Sequence, residues 1–324
     1  MSVEPCSISP VELQGLMVLV STHPYNDYRH YRPLSQEIQA RILLSEIQRA
    51  AQHGHVLTQK EGDQIVACAT LSSLPWDSQI FGLSMARIGP LIVVPRHEGR
   101  ARLIGQLLDG LIEMARAQGI RHLSTRVDCA DSEAIQCLEH RDFRLMECLV
   151  TYVFRPKQDR PPPIKTLYQV RPYTFDDRQA LLTIAEQMYA HHQSRFSVDP
   201  DLPRQASAQF YSEWTKNACS GAMADRILVA ERKGHPIGFL AYKLNSLVRE
   251  CTGVRIAGQG LSAALPEGAG AYIGLLKAAL ERGREEYDFM EADAPLHHYV
   301  VIRTWQRLGF QLVRAKYAFH RGLA

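Results

Sequence analysis

The sequence predicts an α+β protein made of two similar halves, and three observations lead to that prediction. The composition, with 46% hydrophobic and 22% charged residues, is typical of a globular chain with a core. A length of 324 residues corresponds to about two domains. The segment 155–165 contains four prolines and five charged residues, which indicates an extended linker. We therefore expect an N-terminal domain at residues 1–158, a linker at 159–166 and a C-terminal domain at 167–324.

In the first half, the hydrophobic spacing predicts two long helices separated by a β-rich stretch. The first helix covers residues 35–52, and Gly54 follows its end. The β-rich stretch runs from 56 to 94. The apolar face of the second helix consists of Leu103, Leu107, Leu111 and Met114. A strand at 123–127 and a short helix that ends near Phe143 complete this half.

The second half repeats this order of elements. The pattern predicts a helix at 178–189, a hairpin at 227–242 and a strand that ends at Ala264. A glycine-rich turn, a helix through Leu275, a strand at 289–292 and a last helix follow. Each half is therefore expected to place two long helices on a largely antiparallel sheet.

The spacing of matching landmarks supports an internal duplication. Gly99 and Phe143 are 44 residues apart, and Gly268 and Phe310 are 42 apart. Repetition over this length indicates a duplicated domain.

Composition excludes several classes of function. A net charge of +3 is too close to neutral to predict nucleic-acid binding. The longest early apolar run, residues 16–20, is too short for a membrane span and follows no basic segment. We therefore expect a cytoplasmic protein that contacts neither membrane nor nucleic acid. The cysteines form no C-x-x-C pair and are expected to be reduced thiols: Cys6, Cys68, Cys129, Cys137, Cys148, Cys219 and Cys251.

A loop in the first half has the form of a phosphate cradle. An apolar strand runs directly into Arg96, Gly99, Arg100 and Ala101, and a helix begins there. Backbone N–H groups at such a helix start converge on one point, and the helix dipole favours an anion. A turn with one glycine before a helix is also a common plain connection, so this loop alone is a weak motif.

Together with the later elements, this loop resembles the GNAT superfamily of acyl-CoA N-acyltransferases. Those enzymes carry Arg/Gln-x-x-Gly-x-Gly/Ala after their fourth strand and Asn-x-x-Ala-x-x-x-Tyr before a Gly-Phe pair. In the first half the later motif corresponds to Asp131, Ala134 and Leu138. In the second half the corresponding residues of the two motifs are Gly268, Gly270, His298, Val301 and Trp305.

A closer resemblance extends over most of the chain, to the bacterial TDP-fucosamine acetyltransferases. These have a degenerate first GNAT-like domain and an active second one. The matching stretches are Leu74–Gly82, Gln193–Phe196, Phe210 and Tyr211 with Trp214, Gly268–Ala271, Leu308–Phe310 and Tyr317–His320. The resemblance implies an active C-terminal domain, and it leaves the loop around Gly99 as a possible second coenzyme A loop.

The resemblance also implies how acetyl-CoA, or another acyl-CoA, is bound. The pantetheine arm would lie between two splayed strands and pair with the backbone of Ser262, Ala263 and Leu265, which would polarise the thioester carbonyl. The N–H groups of Gly268, Ala269, Gly270 and Ala271 would hold the pyrophosphate. A neutral amine on the acceptor would then attack the thioester, and no metal is implied.

The chain departs from the family at the proton donor. Trp305 occupies the position of the usual tyrosine, and an indole N–H is not a usable acid near neutral pH. His298 lies two helical turns before Trp305, and Glu291 lies at the end of the fifth strand of the second half. Either could exchange protons with the substrates, and both could instead be ordinary solvated groups. Catalysis by orientation, with proton loss to water, is equally open.

Candidate acceptor contacts are Arg195, Phe196, Trp214 and Trp305. Arginine suits a diphosphate, although an Arg beside an aromatic is often an ordinary surface pair and tryptophans are often core anchors. The pairs His191-His192 and His297-His298 lack the spacing of zinc ligands, so we expect no metal.

Three functions therefore compete. The first is an N-acyltransferase for an amino sugar, possibly nucleotide-linked. The second is an N-acyltransferase for another amine, such as an antibiotic or amino-acid derivative. The third is a coenzyme A-binding protein that has lost catalysis, for which Trp305 is the best argument. Each would act as a monomer or homodimer.

Overall fold

The computed structural model describes residues 8–323, which form two compact units. Unit 1 contains the residues up to Cys148 together with those from Ala315 onward, and unit 2 contains Leu149–Arg314. Cys6 lies outside the described residues. The other six cysteines are free thiols.

The helices and strands of the first half alternate as in an α+β protein. They are α1 (Pro10–Ser21), α2 (Gln36–His53), β1 (Gly54–Glu61), β2 (Gln64–Ser73), α3 (Pro75–Phe81), β3 (Met85–Val93), α4 (Arg100–Ala117), β4 (His122–Asp128), α5 (Ser132–Glu139) and β5 (Arg144–Phe154). Those of the second half are β6 (Gln169–Pro172), α6 (Arg178–Tyr189), α7 (Arg204–Cys219), β7 (Arg226–Arg232), β8 (His235–Leu244), α8 (Ser246–Thr252), β9 (Ile256–Ala264), α9 (Ala271–Glu286), β10 (Phe289–Pro295), α10 (Tyr299–Leu308) and β11 (Gln311–Gly322). The α+β class expected from the sequence is confirmed.

Unit 1 is built on a sheet with the strand order β1-β2-β3-β4-β11. Its neighbouring strands are antiparallel except for β3 and β4, which are parallel. Helix α4 packs on this sheet through the predicted apolar face, and Leu103, Leu107 and Leu111 are all buried in one core cluster. The helical spacing of apolar residues in the sequence therefore determines which face of α4 packs on the sheet.

Unit 2 repeats the arrangement with the strand order β5-β10-β9-β8-β7-β6. Here β9 and β10 are the parallel pair. Leu181 and Ile184 of α6 lie in one core cluster with Phe239 of β8.

The last strand of each half joins the other unit. Residues 149–154 of β5 pair with β10 in unit 2, and residues 316–322 of β11 pair with β4 in unit 1. The domain bounds inferred from the proline-rich linker instead assign β5 to the N-terminal domain and β11 to the C-terminal domain. Backbone pairing decides the grouping, and a linker composition carries no information about which strand a segment will pair with.

Candidate active site

In unit 2 the parallel strands β9 and β10 separate part-way along their length. They pair only where Ile256, Ala257 and Gly258 lie beside residues 289–291 of β10. The pairing of β9 with β8 continues to Ala264. From Gln259 onward, the edge of β9 that faces β10 is therefore open, and we call this opening the unit 2 cleft. Glu291 is the last residue of β10 that pairs with β9, so it stands where the cleft begins.

Backbone groups of β9 line the unit 2 cleft. The carbonyl oxygen of Ser262 accepts a hydrogen bond of 2.6 Å from Tyr189 Oη, so it points away from β8. In an antiparallel ladder the N–H and C=O of one residue face the same side, so the Ser262 N–H points into the cleft as well. Ala263 is the neighbouring residue and is buried. The Leu265 N–H already donates to the Ile237 carbonyl at 2.8 Å and is not available to a ligand.

A glycine loop connects β9 to the start of α9. The Gly268 N–H closes a tight turn onto the Leu265 carbonyl at 2.8 Å, and a Cβ at Gly268 would stand 3.3 Å from the Ile237 carbonyl. Gly270 is the N-cap of α9, has a φ of +87°, and a Cβ there would meet no described atom within 4 Å. A glycine cannot cap a helix with its side chain, so Ala271 and the following amides face outward as donors. With Ala269 between the two glycines, this loop fits an anionic group.

Trp305 is fully buried, and its indole N–H is bonded to a phenol. Trp305 Nε1 donates to Tyr272 Oη at 2.8 Å. Its ring packs near Tyr152 and Phe310, with centroids 5.5 and 6.5 Å away. Full burial weighs against the contact with an acceptor that we expected from the sequence. The indole instead anchors Tyr272, which sequence reasoning missed.

Tyr272 is held at the unit 2 cleft by β9 side chains. Gln259 Nε2 donates to Tyr272 Oη at 3.0 Å and to Ser262 Oγ at 3.1 Å. Burial raises the pKa of Tyr272 to about 12, against the opposing effect of hydrogen bonds from Gln259 and Trp305. Tyr272 is therefore a neutral phenol at physiological pH. Tyr272 lies in the first turn of α9, directly after the glycine loop. No pattern in the sequence predicts that this turn contacts Trp305.

A group of aromatic rings from α6, α7 and the loop between them stands beside the cleft; we call it the aromatic wall. Its members are Tyr189, His192, Tyr211 and Trp214. Tyr189 and Tyr211 stack with centroids 4.5 Å apart, and Tyr211 stacks on Trp214 at 6.3 Å. Trp214 Cζ2 lies 3.9 Å from the position of a Cβ on Gly260 of β9.

His298 meets the aromatic wall from the N-terminus of α10. The ring centroids of His298 and His192 are 5.0 Å apart. Burial, helped by the nearby His298 and His297, lowers the pKa of His192 to about 4. His192 is therefore neutral near pH 7. The sequence pointed to His298 and not to His192, because only His298 falls in a family motif.

Two further acceptor candidates lie together in the loop between α6 and α7. Phe196 is buried and packs on Phe210 with centroids 4.6 Å apart. Arg195 Cζ lies 4.3 Å above the Phe196 ring. Phe196 therefore acts as a core anchor beneath the guanidinium, which is half-buried.

Unit 1 has a second cleft of the same kind. Strands β3 and β4 pair only where 85–88 lies beside 122–125, and they separate from Gly89 onward. A cavity of about 80 Å³ occupies this region, and its polar lining includes His23, Asp27, Glu46, Asp128 and Lys316. Lys316 Nζ pairs with Asp27 at 2.6 Å, and burial lowers the pKa of His23 to about 4.

The loop of unit 1 uses its donors internally. The Gly99 N–H donates to His97 Nδ1 and the Arg100 N–H to the His97 carbonyl, both at 3.0 Å. The buried Arg100 side chain forms a two-pronged pair with Asp131 at 2.7 and 2.8 Å and bonds Glu133 at 2.6 Å. Arg100 therefore ties α4 to α5. Arg96, with a φ of 59°, and Ala101 at the helix start complete this loop.

Comparisons with known proteins show what the chain is similar to. Residues 21–143 match the model of the acetyltransferase (GNAT) family. The match covers the cleft and the loop of unit 1, so the first half of the chain is similar to GNAT acetyltransferase domains.

One curated relative is the spore coat polysaccharide biosynthesis protein SpsD of Bacillus subtilis (strain 168). It is 29% identical over 167 residues, which are 50% of this chain and 52% of the relative. The chain thus spans about half the length of the curated relative that it matches.

Solved structures extend the likeness to the whole chain. A GCN5-related N-acetyltransferase from Sphaerobacter thermophilus superposes with a TM-score of 0.65 at 13% identity, covering 97% of this chain and 93% of the other. A tandem GNAT protein from the clavulanic acid biosynthesis pathway does so with a TM-score of 0.55 at 13% identity, covering 98% and 97%. The predicted fold of two tandem GNAT-like domains is confirmed. Within residues 8–323, no helix is long and apolar enough to cross a membrane.

Proposed function

We propose that the protein is an N-acetyltransferase that moves an acetyl group from acetyl-CoA to the primary amine of an amino sugar, with unit 2 as the active unit. The observation that carries this proposal is the combination in unit 2 of an open strand edge, a glycine loop with outward N–H groups, and a helix start. The GNAT domain in the first half supports the reaction class.

In this proposal the loop and the cleft hold the two ends of coenzyme A. The amides of Ala269, Gly270 and Ala271 bind the pyrophosphate, assisted by the α9 dipole. The Ser262 N–H, which faces the cleft, polarises the thioester carbonyl. Holding two substrates in register supplies much of the rate, because it replaces a bimolecular encounter with a positioned one.

The aromatic wall and His298 form the acceptor side. Ring faces pack well on the apolar faces of a sugar, and the neutral His192 can accept a hydrogen bond from an acceptor amine or hydroxyl. In this proposal Arg195 binds the diphosphate of the acceptor, because a guanidinium suits that group in shape and charge. SpsD belongs by name to polysaccharide biosynthesis, which supports a sugar acceptor, and a nucleotide-linked amino sugar is our preferred candidate.

A second candidate site is the cavity of unit 1, because the family model matches that half. Its loop has already used the Gly99 and Arg100 amides, which favours unit 2 as the coenzyme A site.

The test is an acetyl-transfer assay with the purified protein, acetyl-CoA and a panel of amines analysed by mass spectrometry. The panel contains nucleotide-linked amino sugars, free amino sugars, aminoglycosides and amino acids. We expect transfer to an amino sugar, and selective transfer to another amine would overturn the acceptor class alone. Binding of coenzyme A without transfer to any amine would support the alternative function, a coenzyme A-binding protein that has lost catalysis. Calorimetry that detects no binding of coenzyme A or acetyl-CoA would overturn the proposal entirely.

A further inference from the structure

We propose that Tyr272 donates the proton that the leaving thiolate of coenzyme A takes up, in place of the tyrosine that position 305 lacks. This inference rests on the proposed function and deepens it. It assigns the missing acid of unit 2 to a residue of a different helix.

Tyr272 lies beside the position of the missing acid. Trp305 stands at the family's tyrosine position, and its Nε1 is 2.8 Å from Tyr272 Oη. The phenol oxygen therefore lies within one hydrogen bond of the side chain that replaces the usual acid. The same oxygen contacts Gln259, the first residue of β9 that is no longer paired with β10. Tyr272 thus reaches the point where the thioester arm would enter the unit 2 cleft.

The hydroxyl of Tyr272 lies among three polar side chains. Trp305 Nε1 and Gln259 Nε2 donate to its oxygen, at 2.8 and 3.0 Å. The Ser262 side chain also hydrogen-bonds it and, like the other two, lowers the pKa of the phenol. The contact of the hydroxyl with Gln259 Oε1 is long, at 3.3 Å. Because the amide of Gln259 already donates to the same oxygen, the proton can turn to a better acceptor.

The surroundings of the phenol oxygen also suit proton donation. Trp305 and Gln259, which donate to Tyr272 Oη, are both uncharged, and Tyr272 is half-buried. Donors aimed at a phenol oxygen stabilise the negative charge that develops when its proton leaves. Trp305 and Gln259 are therefore positioning residues that hold the phenol and offset part of the rise in pKa that burial causes.

In the proposed step, the acceptor nitrogen forms a bond to the acetyl carbon, and the bond between that carbon and the coenzyme A sulfur breaks. The electron pair of the broken bond stays on sulfur, which takes the proton of Tyr272 Oη. The nitrogen, which has gained a positive charge, releases a proton to water, and Tyr272 regains its proton from water. No oxidant or further reactant is needed.

The test compares the wild-type protein with Tyr272→Phe in two measurements. The first is steady-state acetyl transfer, for which we expect kcat to fall by about 10²–10⁴-fold while KM for acetyl-CoA stays within about threefold. The second is the pKa of the thiol of bound coenzyme A, followed by the ultraviolet absorbance of its thiolate. A phenol that donates to sulfur stabilises the thiolate, so this pKa should be about one unit lower in the wild type than in Tyr272→Phe.

The matched control is Tyr287→Phe, which removes another buried phenol of unit 2. Tyr287 Oη donates to the Ala279 carbonyl at 2.6 Å, so this variant reports the cost of losing a buried hydroxyl. We expect this variant to change kcat by no more than about threefold. The pKa of the bound thiol should change by no more than a few tenths of a unit.

The outcomes separate the inference from the function on which it rests. If wild type and Tyr272→Phe bind coenzyme A with the same thiol pKa, the inference is overturned, even where kcat falls. Activity of Tyr272→Phe within threefold of the wild type overturns it as well. If the wild type binds coenzyme A but acetylates no amine, the proposed function fails. The role of Tyr272 is then decided by the pKa of the bound thiol in the wild type and in Tyr272→Phe. Failure of the wild type to bind coenzyme A overturns both.

Discussion

Placing a bulky side chain in each of the two loops tests which unit binds coenzyme A. In Gly270→Trp the indole would project into the open space where we place the pyrophosphate. Gly270 has a φ of +87°, a conformation that costs an L-residue about 1–2 kcal/mol, so this variant should lose that much stability. We expect it to lose measurable affinity for coenzyme A. Calorimetric titration gives the affinity, and denaturant unfolding gives the stability.

Gly99→Trp is the counterpart in unit 1. Its φ of −96° is unstrained, and the nearest atoms to a Cβ there would be side-chain nitrogens of Arg102 and His97, at 3.3 and 3.4 Å. We therefore expect a stability change below about 1 kcal/mol and unchanged affinity for coenzyme A. If Gly99→Trp abolishes binding while Gly270→Trp retains it, the assignment of the coenzyme A site to unit 2 is wrong.

Gly253→Trp separates backbone strain from steric blocking. Gly253 ends α8 in unit 2 with a φ of +74°, and a Cβ there would meet no described atom within 4 Å. Its strain matches that of Gly270, but it lies in a different turn. We expect Gly253→Trp to lose about 1–2 kcal/mol and to bind coenzyme A normally. Equal loss of binding in both variants would mean that strain, and not blocking, is the cause.

Two further predictions concern ion pairs. Arg100→Met leaves the buried carboxylate of Asp131 without its partner and should destabilise the protein by about 3–5 kcal/mol in denaturant unfolding; a loss below 1 kcal/mol would contradict this. Hydrogen bonds from Arg171 lower the pKa of Asp177 from 3.8 to about 2, so this pair stabilises above pH 4 and its contribution disappears as the pH falls through 2. Asp177→Asn should therefore cost about 2 kcal/mol at pH 7 and almost nothing at pH 2, and a cost independent of pH would refute the assignment.

The sequence predicts the long helices well, because their burial follows a single period. The expected helix at 35–52 is α2, at Gln36–His53, and the expected helix at 178–189 is α6. Helix α1 is not among the elements expected from the sequence, although Ser9 and Glu12 form a capping box at its start. That signal is readable from sequence, since a serine followed three residues later by a glutamate marks a helix N-terminus.

Other features could not be predicted from one sequence. The contact between Tyr272 and Trp305 joins two helices 33 positions apart, and no local pattern encodes that distance. The exchange of β5 and β11 between units depends on which strand edges are open, which only the assembled sheets define. The motif also does not show that the Gly99 N–H donates to His97 Nδ1, although this hydrogen bond decides how many donors the loop can offer to a ligand.

A crystal structure of the complex with coenzyme A would test the central claim most directly. We expect the pyrophosphate on the amides between Ala269 and Ala271, and the sulfur within about 3.5 Å of Tyr272 Oη, the range of a hydrogen bond to sulfur. Coenzyme A bound instead at the loop of Gly99, with the unit 2 cleft filled by protein side chains, would contradict both the choice of unit and the role of Tyr272.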